Sequence, residues 1–264
     1  MEIELDLKKS INDNATFYFL ESKEMRKKIN GLTIAINKNK EQIEKKIKLN
    51  NTLEKVKKSW YEKYRWFFTS DGFLVVGGKD AHQNEEIVKK HMDEKDIYFH
   101  ADVYGAPHCV LKINSNQVNK LTNQSLVEAS EFAVTFSKAF EQGLVLADAY
   151  SVKPDQVSKR APSGSSMGVG AFMIYGQRNW FKNTPLSLGV GVLKKENKLM
   201  SGPINAIKKN CAFFVELKQG TTEKNQTANE LKKIFSDAKP LSFNFSNESF
   251  LSIIPNGNFD IKKN

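Results

Sequence analysis

The stretch that most constrains the fold is Trp60–Leu111, which predicts two strands and a helix in immediate succession. Arg65–Thr69 and Phe73–Val76 are rich in aromatic and β-branched residues, and they flank Ser70-Asp71-Gly72. Because glycine tolerates a positive φ at a tight turn, these two runs predict a β-hairpin. Asp80 stands before AHQNEEIVKKHM, where its carboxylate can accept the free amide hydrogens of a first helical turn. This order of elements indicates an α/β domain.

More strands and helices are predicted along the rest of the chain. Asp96–Val103 and His108–Ile113 predict a second strand pair, Leu121–Gln142 a long amphipathic helix, and Val145–Val152 a further strand. The next segment, Pro154–Gly170, is a Ser-, Gly- and Lys-rich loop, and a loop of that length inside a domain is usually functional or mobile.

A small α/β region is predicted at the C-terminal end. Lys194–Ser201 is polar and predicts a linker. Beyond it, we expect a strand at Phe213–Leu217, a helix at Lys224–Ser236 and a closing strand near Phe250–Ile254.

Most of the net charge of +10 lies on one segment, Ser22–Lys58, which holds twelve Lys or Arg against four Glu. A concentrated positive field raises the local concentration of polyanions and speeds their capture. A solvated helix face is the alternative explanation for such a lysine run.

The same segment has helical periodicity with a narrow apolar seam, as at Ile29, Leu32 and Ile36. A helix this polar cannot be buried in a globular core, so it is one limb of an antiparallel hairpin, a dimer seam, or an arm ordered on a partner. We expect Ser22 to cap it, after a short strand and one helical turn in residues 1–21, and the chain to turn back near Gly31 or Asn50.

The composition bounds the class of protein. A chain of 264 residues can hold one sizeable core or two small ones, and it has no apolar run long enough to span a membrane. Its N-terminus lacks an apolar signal core. Cys109 and Cys211 both lie inside apolar runs, which predicts buried thiols rather than a disulfide and suits a reducing compartment. We therefore expect a cytoplasmic protein.

Cationic and aromatic side chains alternate through the central region, a pattern typical of proteins that bind unpaired RNA. The candidates for phosphate contact are Arg65, Lys79, Lys159, Arg160 and Arg178. The candidates for base stacking are Tyr98, His100, Tyr104, His108 and Trp180, although each ring taken alone is more often a packing residue. Gly105 leaves the backbone uncovered for close approach. Asp80 and Glu85 are expected to serve the helix instead, as its cap and as the partner of Lys89.

Catalytic alternatives are weakly supported. His100 and Asp102 would share one strand face, but His82 and His91 are nine residues apart, which places them on opposite sides of a helix. Cys109 sits in an apolar run and Ser163 has no nucleophile motif around it. We therefore predict no metal, no cofactor and no enzymatic activity.

Three blocks in order, GGKDAHQNE, DIYFHADVYGAP and QVSKRAPSGSSMGVGAFMIYGQRNW, resemble the signature blocks of the NFACT RNA-binding domain. That domain occurs in the ribosome-associated quality-control factors NEMF in animals and RqcH in bacteria. MEIELDLKKSINDNATFYF resembles the family's segment leading into its coiled coil, and Gly202–Ile254 is similar to the C-terminal extension of archaeal-type members. The resemblance implies the C-terminal half of such a factor, and it adds Asn179 to the candidate RNA contacts.

The resemblance implies an α/β architecture in three parts: an N-terminal segment with a basic helical coiled-coil arm (residues 1–58), a mixed β-sheet domain with packed helices (59–195) and a small α/β C-terminal extension (196–264). It implies recognition of a large ribosomal subunit that holds a stalled peptidyl-tRNA. The expected partners are large-subunit ribosomal RNA, tRNA and a separately encoded N-terminal NFACT protein that assists tRNA recruitment and C-terminal tailing, with no membrane partner.

Two other functions remain open from the residues alone: a general polyanion-binding module and an RNA-processing nuclease. It is also open whether ribosome contact lies mainly on the arm or on the loop Pro154–Gly170. We expect the candidate cations and rings to share one exposed surface of the sheet domain.

Overall fold

The computed structural model describes residues 4–8, 10–53, 59–114, 118–160, 167–238 and 243–262. The chain divides into two compact units, Met1–Ser59 and Trp60–Asn264, which are described one at a time. In these ranges the helices are α1 (Ile11–Leu53), α2 (Ala81–Glu86), α3 (Asn123–Thr135), α4 (Lys138–Glu141), α5 (Ile204–Asn210), α6 (Lys224–Asp237) and α7 (Asn247–Ile253). The strands are β1 (Arg65–Phe68), β2 (Leu74–Gly77), β3 (Ile97–Ala101), β4 (Cys109–Leu111), β5 (Leu146–Val152), β6 (Val157–Ser158), β7 (Met173–Ile174), β8 (Asn179–Pro185), β9 (Leu188–Leu193), β10 (Leu199–Gly202), β11 (Cys211–Thr222) and β12 (Phe259–Lys262). A π-helical turn, Ile87–His91, continues α2, and short 3₁₀ turns lie at Trp60–Lys63, Val118–Lys120 and Pro154–Gln156.

In the first unit, α1 is a continuous helix of 43 residues that begins earlier than predicted. Ser10 and Asp13 start it, because Ser10 Oγ accepts the Asp13 N–H at 3.1 Å and donates to Asp13 Oδ2 at 2.6 Å. The predicted cap Ser22 therefore lies inside the helix. The short strand predicted in residues 1–21 is absent from the described residues 4–8, and the single helical turn predicted after it is part of α1. The turn predicted near Gly31 or Asn50 is also wrong, since one helical glycine costs only about 1 kcal/mol relative to alanine.

The apolar seam of α1 is open to solvent. Ile29, Leu32 and Ile36 are all exposed along a helix that extends over about 65 Å. The helical part of the predicted arm is thus present, while its pairing into a coiled coil stays a prediction.

The second unit is built on an antiparallel sheet with the strand order β1-β2-β4-β3-β5-β8. The predicted opening hairpin is confirmed: Arg65 pairs with Gly77 and Phe68 with Leu74, across a turn in which Gly72 has φ 87°. The strands predicted on either side of the Tyr104–Pro107 turn are confirmed as β3 and β4.

The expectation of a mixed sheet is corrected, because every strand pairing within the described residues is antiparallel. The two helical connections each skip one strand. The connection through α2 takes the chain from β2 to β3, and β4 fills the gap between them; the connection through α3 takes it from β4 to β5, past β3. Strands that run in the same direction are therefore never neighbours.

α3 packs on one face of this sheet and forms the core with it. The Phe67 and Phe132 rings lie 4.8 Å apart and both residues are buried. The single helix predicted over Leu121–Gln142 is interrupted after Phe136, because Ser137 Oγ accepts the Ala139 N–H and starts α4.

A second antiparallel sheet, with the order β10-β9-β11-β12, lies in the same unit. Its strand β10 meets β1, where the Phe68 N–H donates to Met200 Sδ at 3.3 Å. The predicted boundary between residues 195 and 196 falls between β9 and β10, which pair with each other, and the three-part division stays a prediction.

The C-terminal region differs from its prediction in three elements. The polar segment Lys194–Ser201, predicted as a linker, overlaps β10. The closing strand expected near Phe250–Ile254 is the helix α7, because Ser246 Oγ accepts the Ser249 N–H and caps it. The closing strand is instead β12, while the predicted helix over Lys224–Ser236 is confirmed as α6.

Candidate nucleic-acid interface

The face of the first sheet opposite α3 carries a row of aromatic rings from neighbouring strands. His100 pairs in register with Tyr150, and Tyr150 with Trp180. The centroid distances are 4.7 Å from His108 to His100, 6.0 Å from His100 to Tyr150 and 5.3 Å from Tyr150 to Trp180. We call these four residues the ring row. His108 and Tyr150 are buried, His100 is half-buried, and Trp180 at the sheet edge is 38% exposed.

At the inner end of the row, His108 is a neutral packing residue. Its Nδ1 lies 2.7 Å from the Tyr98 hydroxyl, and its backbone N–H donates to Asn84 Oδ1 at 3.0 Å. Burial, with smaller contributions from His100 and Lys159, lowers the pKa of His108 to about 3. His108 therefore carries no charge to offer a phosphate near neutral pH.

His100 is held by the loop that leads into β4. Its Nδ1 lies 3.1 Å from the Pro107 carbonyl oxygen, which can accept only if Nδ1 carries the proton. Burial lowers the pKa of His100 despite this bond and the nearby Asp102 carboxylate. In the neutral imidazole, Nε2 is then a hydrogen-bond acceptor.

Arg178 and Lys182 bring positive charge to the outer end of the ring row. The Arg178 guanidinium lies 4.5 Å from the Tyr150 ring centroid and 5.8 Å from that of Trp180, and Lys182 Nζ lies 4.1 Å from the Trp180 centroid. Asn179 points to the α3 side of the strand, where its Nδ2 donates to Ser151 Oγ at 3.3 Å.

Lys159 is fully engaged in holding its own loop. Its ammonium donates to Glu85 Oε2 at 2.8 Å, to the Gly168 carbonyl at 2.8 Å and to the Ala171 carbonyl at 3.2 Å. These three acceptors match its three N–H groups. Lys159 is thus a structural anchor in this conformation, whereas the neighbouring Arg160 has an exposed side chain.

Glu85 and Asp80 have the structural roles that the sequence indicates. Glu85 accepts from Lys159, from Lys89 at 2.6 Å and from the Gly170 N–H at 2.8 Å, and these hydrogen bonds lower its pKa to about 2. Asp80 Oδ1 accepts the Gln83 N–H at 2.8 Å and caps α2. The first signature block is therefore occupied by scaffold contacts at these positions.

Arg65 lies on the α3 face, away from the ring row. Its Nη1 donates to the Gly78 carbonyl at 3.2 Å, and its guanidinium is 5.2 Å from the Phe136 ring centroid. Burial lowers the pKa of Arg65. Lys79 is exposed beside it, and partial desolvation together with the positive charge of Arg65 lowers the pKa of Lys79.

Tyr104 and Gly105 form the tip of the β3–β4 loop. Tyr104 is 81% exposed, and Lys138 Nζ lies 4.8 Å from its ring centroid. Gly105 has φ 70°, and a Cβ there would lie 3.0 Å from Lys138 Cγ, so the backbone conformation and the close packing both favour glycine.

The predicted residues therefore form two groups rather than one surface. Arg65 belongs to the α3 face with Lys79 beside it, whereas His100, His108 and Arg178 line the opposite face. The separation follows from the alternation of side chains along each strand. In the register of the sheet, Arg65 is level with Gly77, Cys109 and Phe99, and side chains at this level point to α3.

Strand β8 and the ring contacts of Lys182 and Lys138 are absent from the predictions made from the sequence. The run NWFKNTP contains few apolar residues, as is common in an edge strand. The sequence signal for this strand is the spacing of Trp180 and Lys182, which places both on one face.

The catalytic alternatives gain no geometric support. Cys109 and Cys211 are buried free thiols, as predicted, and burial raises the pKa of each, that of Cys211 to about 12. Among the described residues, His, Cys, Asp and Glu side chains form no group of three that could hold a metal. Ser163 lies outside the described residues, as do residues 161–166 of the predicted functional loop. No helix in the described ranges is long and apolar enough to cross a membrane.

Comparison with known proteins assigns residues 63–176 to a family model described as the NFACT protein RNA binding domain. The chain is 40% identical over 208 residues to "Archaeal Rqc2 homolog aRqcH" of Methanocaldococcus jannaschii, which covers 78% of this chain and 30% of that protein. It is 38% identical over 147 residues to "Ribosome quality control complex subunit NEMF homolog" of Drosophila melanogaster, covering 56% and 14%. It is 28% identical over 182 residues to "Rqc2 homolog RqcH" of Streptococcus pneumoniae, covering 69% and 31%. The chain thus spans less than a third of the length of each of these relatives.

The antiparallel sheet and its packed helices form an α/β unit, and the family match covers the first part of that unit. Together they define a protein that contains an RNA-binding domain. Residues 63–176 form an NFACT RNA-binding domain of the RqcH and NEMF type. The resemblance drawn from the three sequence blocks is confirmed.

Proposed function

We propose that this chain is an RNA-binding factor of ribosome-associated quality control that recognises the large ribosomal subunit holding a stalled peptidyl-tRNA. The names of its relatives support ribosome quality control as the setting. The observation that carries the RNA contact is the pair of cations, Arg178 and Lys182, over the rings of Tyr150 and Trp180 at the sheet edge. Charge-assisted donors beside a stacking surface match what unpaired RNA presents.

The basic helix α1 supplies the long-range part of the binding. Its exposed lysines are in position to release counterions from ribosomal RNA, which contributes affinity without sequence preference. The sheet unit then contributes the local contacts.

Tailing is the finer part of the proposal. Peptide transfer is the work of ribosomal RNA, and the selection of tRNA is assigned to an N-terminal NFACT region supplied by a separately encoded protein. The chain itself therefore acts by binding, with no catalysis of its own. Labelled RNA incubated with and without a chelator tests this, and metal-dependent cleavage would assign a nuclease instead.

The main test is sedimentation of the full chain with purified large subunits. One variant reverses exposed charges on α1 (Lys23→Glu, Lys27→Glu and Lys38→Glu), and a second reverses the sheet edge (Arg178→Glu and Lys182→Glu). The matched control reverses two exposed lysines of α6, Lys232→Glu and Lys233→Glu. We expect both test variants to lose subunit binding and the control to retain it.

If wild-type protein binds small and large subunits alike, the ribosome-specific function is wrong. In that case a general polyanion-binding module is favoured by the concentration of charge on Ser22–Lys58. That alternative predicts a steep salt dependence and equal competition by tRNA and duplex DNA.

The tailing proposal is tested separately. Purified stalled subunits are incubated with charged tRNA and this chain, with and without an N-terminal NFACT protein. Tail extension only when both proteins are present is expected, and extension by this chain alone would overturn the role of the second protein.

A further inference from the structure

We propose that the edge strand β8 carries a subsite for one unpaired nucleotide, with its base stacked on Trp180 and its flanking phosphates contacted by Arg178 and Lys182. The inference rests on the proposed function as an RNA-binding factor. It specifies that the sheet edge binds an unpaired nucleotide of that RNA.

Alternation along the strand places three side chains of the subsite on one face. Trp180 packs against Tyr150, whereas its neighbour Phe181 lies 5.8 Å from Phe99 on the α3 side. Arg178 and Lys182, two residues to either side of Trp180, both lie over rings of the ring row. The sequence from 178 to 182 thus presents cation, aromatic and cation in line.

The Arg178 guanidinium is available to a ligand. Within the part of the chain that the structure describes, it makes ring contacts with Tyr150 and Trp180 but no hydrogen bond or ion pair. These contacts hold the guanidinium against the two rings, and its N–H groups meet no acceptor among the described residues. Lys159 shows the contrast, since all of its N–H groups have acceptors inside the protein. A phosphate oxygen is the acceptor that such a planar fork binds best.

Lys182 occupies the position where a base would stack. Its ammonium lies over the Trp180 ring and donates to Asp148 Oδ2 at 2.6 Å, and Asp148 also accepts the Asn183 N–H at 2.9 Å. A cation over an exposed ring is held less strongly than a stacked base. An incoming base therefore displaces the ammonium from the ring, and the freed ammonium is then within reach of the adjoining phosphate.

A single strand fits this edge better than a duplex does. β8 is the last strand of its sheet, so Trp180 lies beside open solvent. The Arg178 guanidinium and the Lys182 ammonium lie 5.8 and 4.1 Å from the Trp180 ring centroid, which places both cations within reach of the phosphates of a nucleotide stacked there. In a duplex the bases are stacked and paired, and their faces are not free for an aromatic side chain. Since every base has a stacking face, we expect little base preference.

The test is the affinity of the full chain for a fluorescein-labelled single-stranded RNA hexamer, with an RNA duplex of equal length as reference. Trp180→Ala is expected to weaken hexamer binding by about 5- to 100-fold, the range for removal of a stacking aromatic, and to change duplex binding less than twofold. Trp180→Phe is expected to retain most of the affinity, and it serves as the readout if Trp180→Ala does not fold. A hexamer in which every nucleotide is abasic should bind the wild type more weakly than the intact hexamer does, whereas Trp180→Ala should bind the two alike.

The matched control is Trp60→Ala, which removes a tryptophan that is 42% exposed and stacks on His91 at 4.2 Å, outside the ring row. It should leave hexamer affinity unchanged. Unaltered hexamer binding by Trp180→Ala, equal losses with both tryptophan variants, or displacement of the hexamer by an acidic peptide as effectively as by RNA would each overturn the subsite.

Sedimentation of the same proteins separates this inference from the proposed function. If the wild type sediments with large subunits but hexamer binding does not depend on Trp180, the subsite is wrong and the function stands. If hexamer binding depends on Trp180 but the wild type does not sediment with large subunits, the subsite stands and the ribosomal function is wrong.

Discussion

The two faces of the first sheet use aromatic residues in different ways. On the α3 face the rings are phenylalanines, Phe67, Phe99 and Phe132, and all three are buried in hydrocarbon surroundings. On the opposite face the ring row holds histidine, tyrosine and tryptophan, whose polar atoms need a partner or water. The opposite face is also packed, since Tyr98, Tyr150 and Val152 are buried there, and only its outer end at Trp180 places an exposed ring beside cations.

The sharpest way to break this comparison is to remove one ring from each face. Phe99→Ala should lower the free energy of unfolding by about 3–5 kcal/mol, because it deletes a fully buried ring and leaves a cavity. Trp180→Ala should lower it by about 1 kcal/mol, since that ring is already partly in water. Urea denaturation measures both. Equal losses from the two variants would mean that the faces do not differ in this way.

A second prediction uses the pH dependence of the ring face. The folded state keeps the pKa of His108 near 3, whereas the unfolded chain has the ordinary value near 6.5. Below pH 6.5 the unfolded state therefore binds more protons, so acidification destabilises the fold. Between pH 7 and pH 5 the loss from His108 is about 2 kcal/mol.

The measurement is the difference in unfolding free energy between the wild type and His108→Asn at pH 7 and at pH 5. The variant should lose less stability on acidification than the wild type. The difference is needed because Glu131 acts in the opposite sense: burial and the Glu128 charge raise its pKa to about 7, so protonating it stabilises the fold. If both proteins respond alike to pH, His108 is not held neutral.

Sequence patterns predicted this molecule best where one short segment determines the outcome. The Gly72 hairpin, the Asp80 cap and the Glu85–Lys89 pair depend on residues within four positions of one another, and all three are present. The family resemblance was equally accessible, because its three blocks are contiguous in sequence.

Long-range choices were out of reach. No local signal says that Lys159 meets Glu85 from 74 positions away, so an anchoring lysine and a free arginine look alike in sequence. The same holds for Arg65 and Arg178, which the pairing register of the strands places on opposite faces of the sheet. Helix starts were hard to predict for a different reason: Ser10 and Ser22 are both possible caps in the sequence, and only the hydrogen bond from the Asp13 N–H to Ser10 Oγ places the start at Ser10.

A third prediction concerns the segment anchored beside the ring face. Gly170 has φ 76°, and a Cβ there would lie 2.6 Å from the Ala81 carbonyl oxygen. Gly143 also has φ 76° but has open space around it. Both substitutions to alanine meet the left-handed penalty of about 1 kcal/mol, and Gly170→Ala should lose about 1 kcal/mol more because backbone must move. Urea denaturation of Gly170→Ala and Gly143→Ala measures this difference. Equal losses of unfolding free energy would mean that the backbone around Gly170 moves away from the new Cβ at no cost.

The smallest expected effect compares one arginine from each face. Arg178→Met should weaken single-stranded RNA binding about fivefold at 0.15 M salt and reduce the salt slope by about one, as expected for loss of a single phosphate contact. Arg65→Met should change the affinity less than twofold, because its guanidinium donates to the Gly78 carbonyl and is largely withdrawn over Phe136. Methionine keeps much of the side-chain volume, so lost charge rather than lost packing dominates the comparison. Fluorescence anisotropy over a salt series provides both affinity and slope. A larger loss from Arg65→Met would move the RNA contact to the α3 face, where Lys79 lies, and would reverse the division of labour between the two faces.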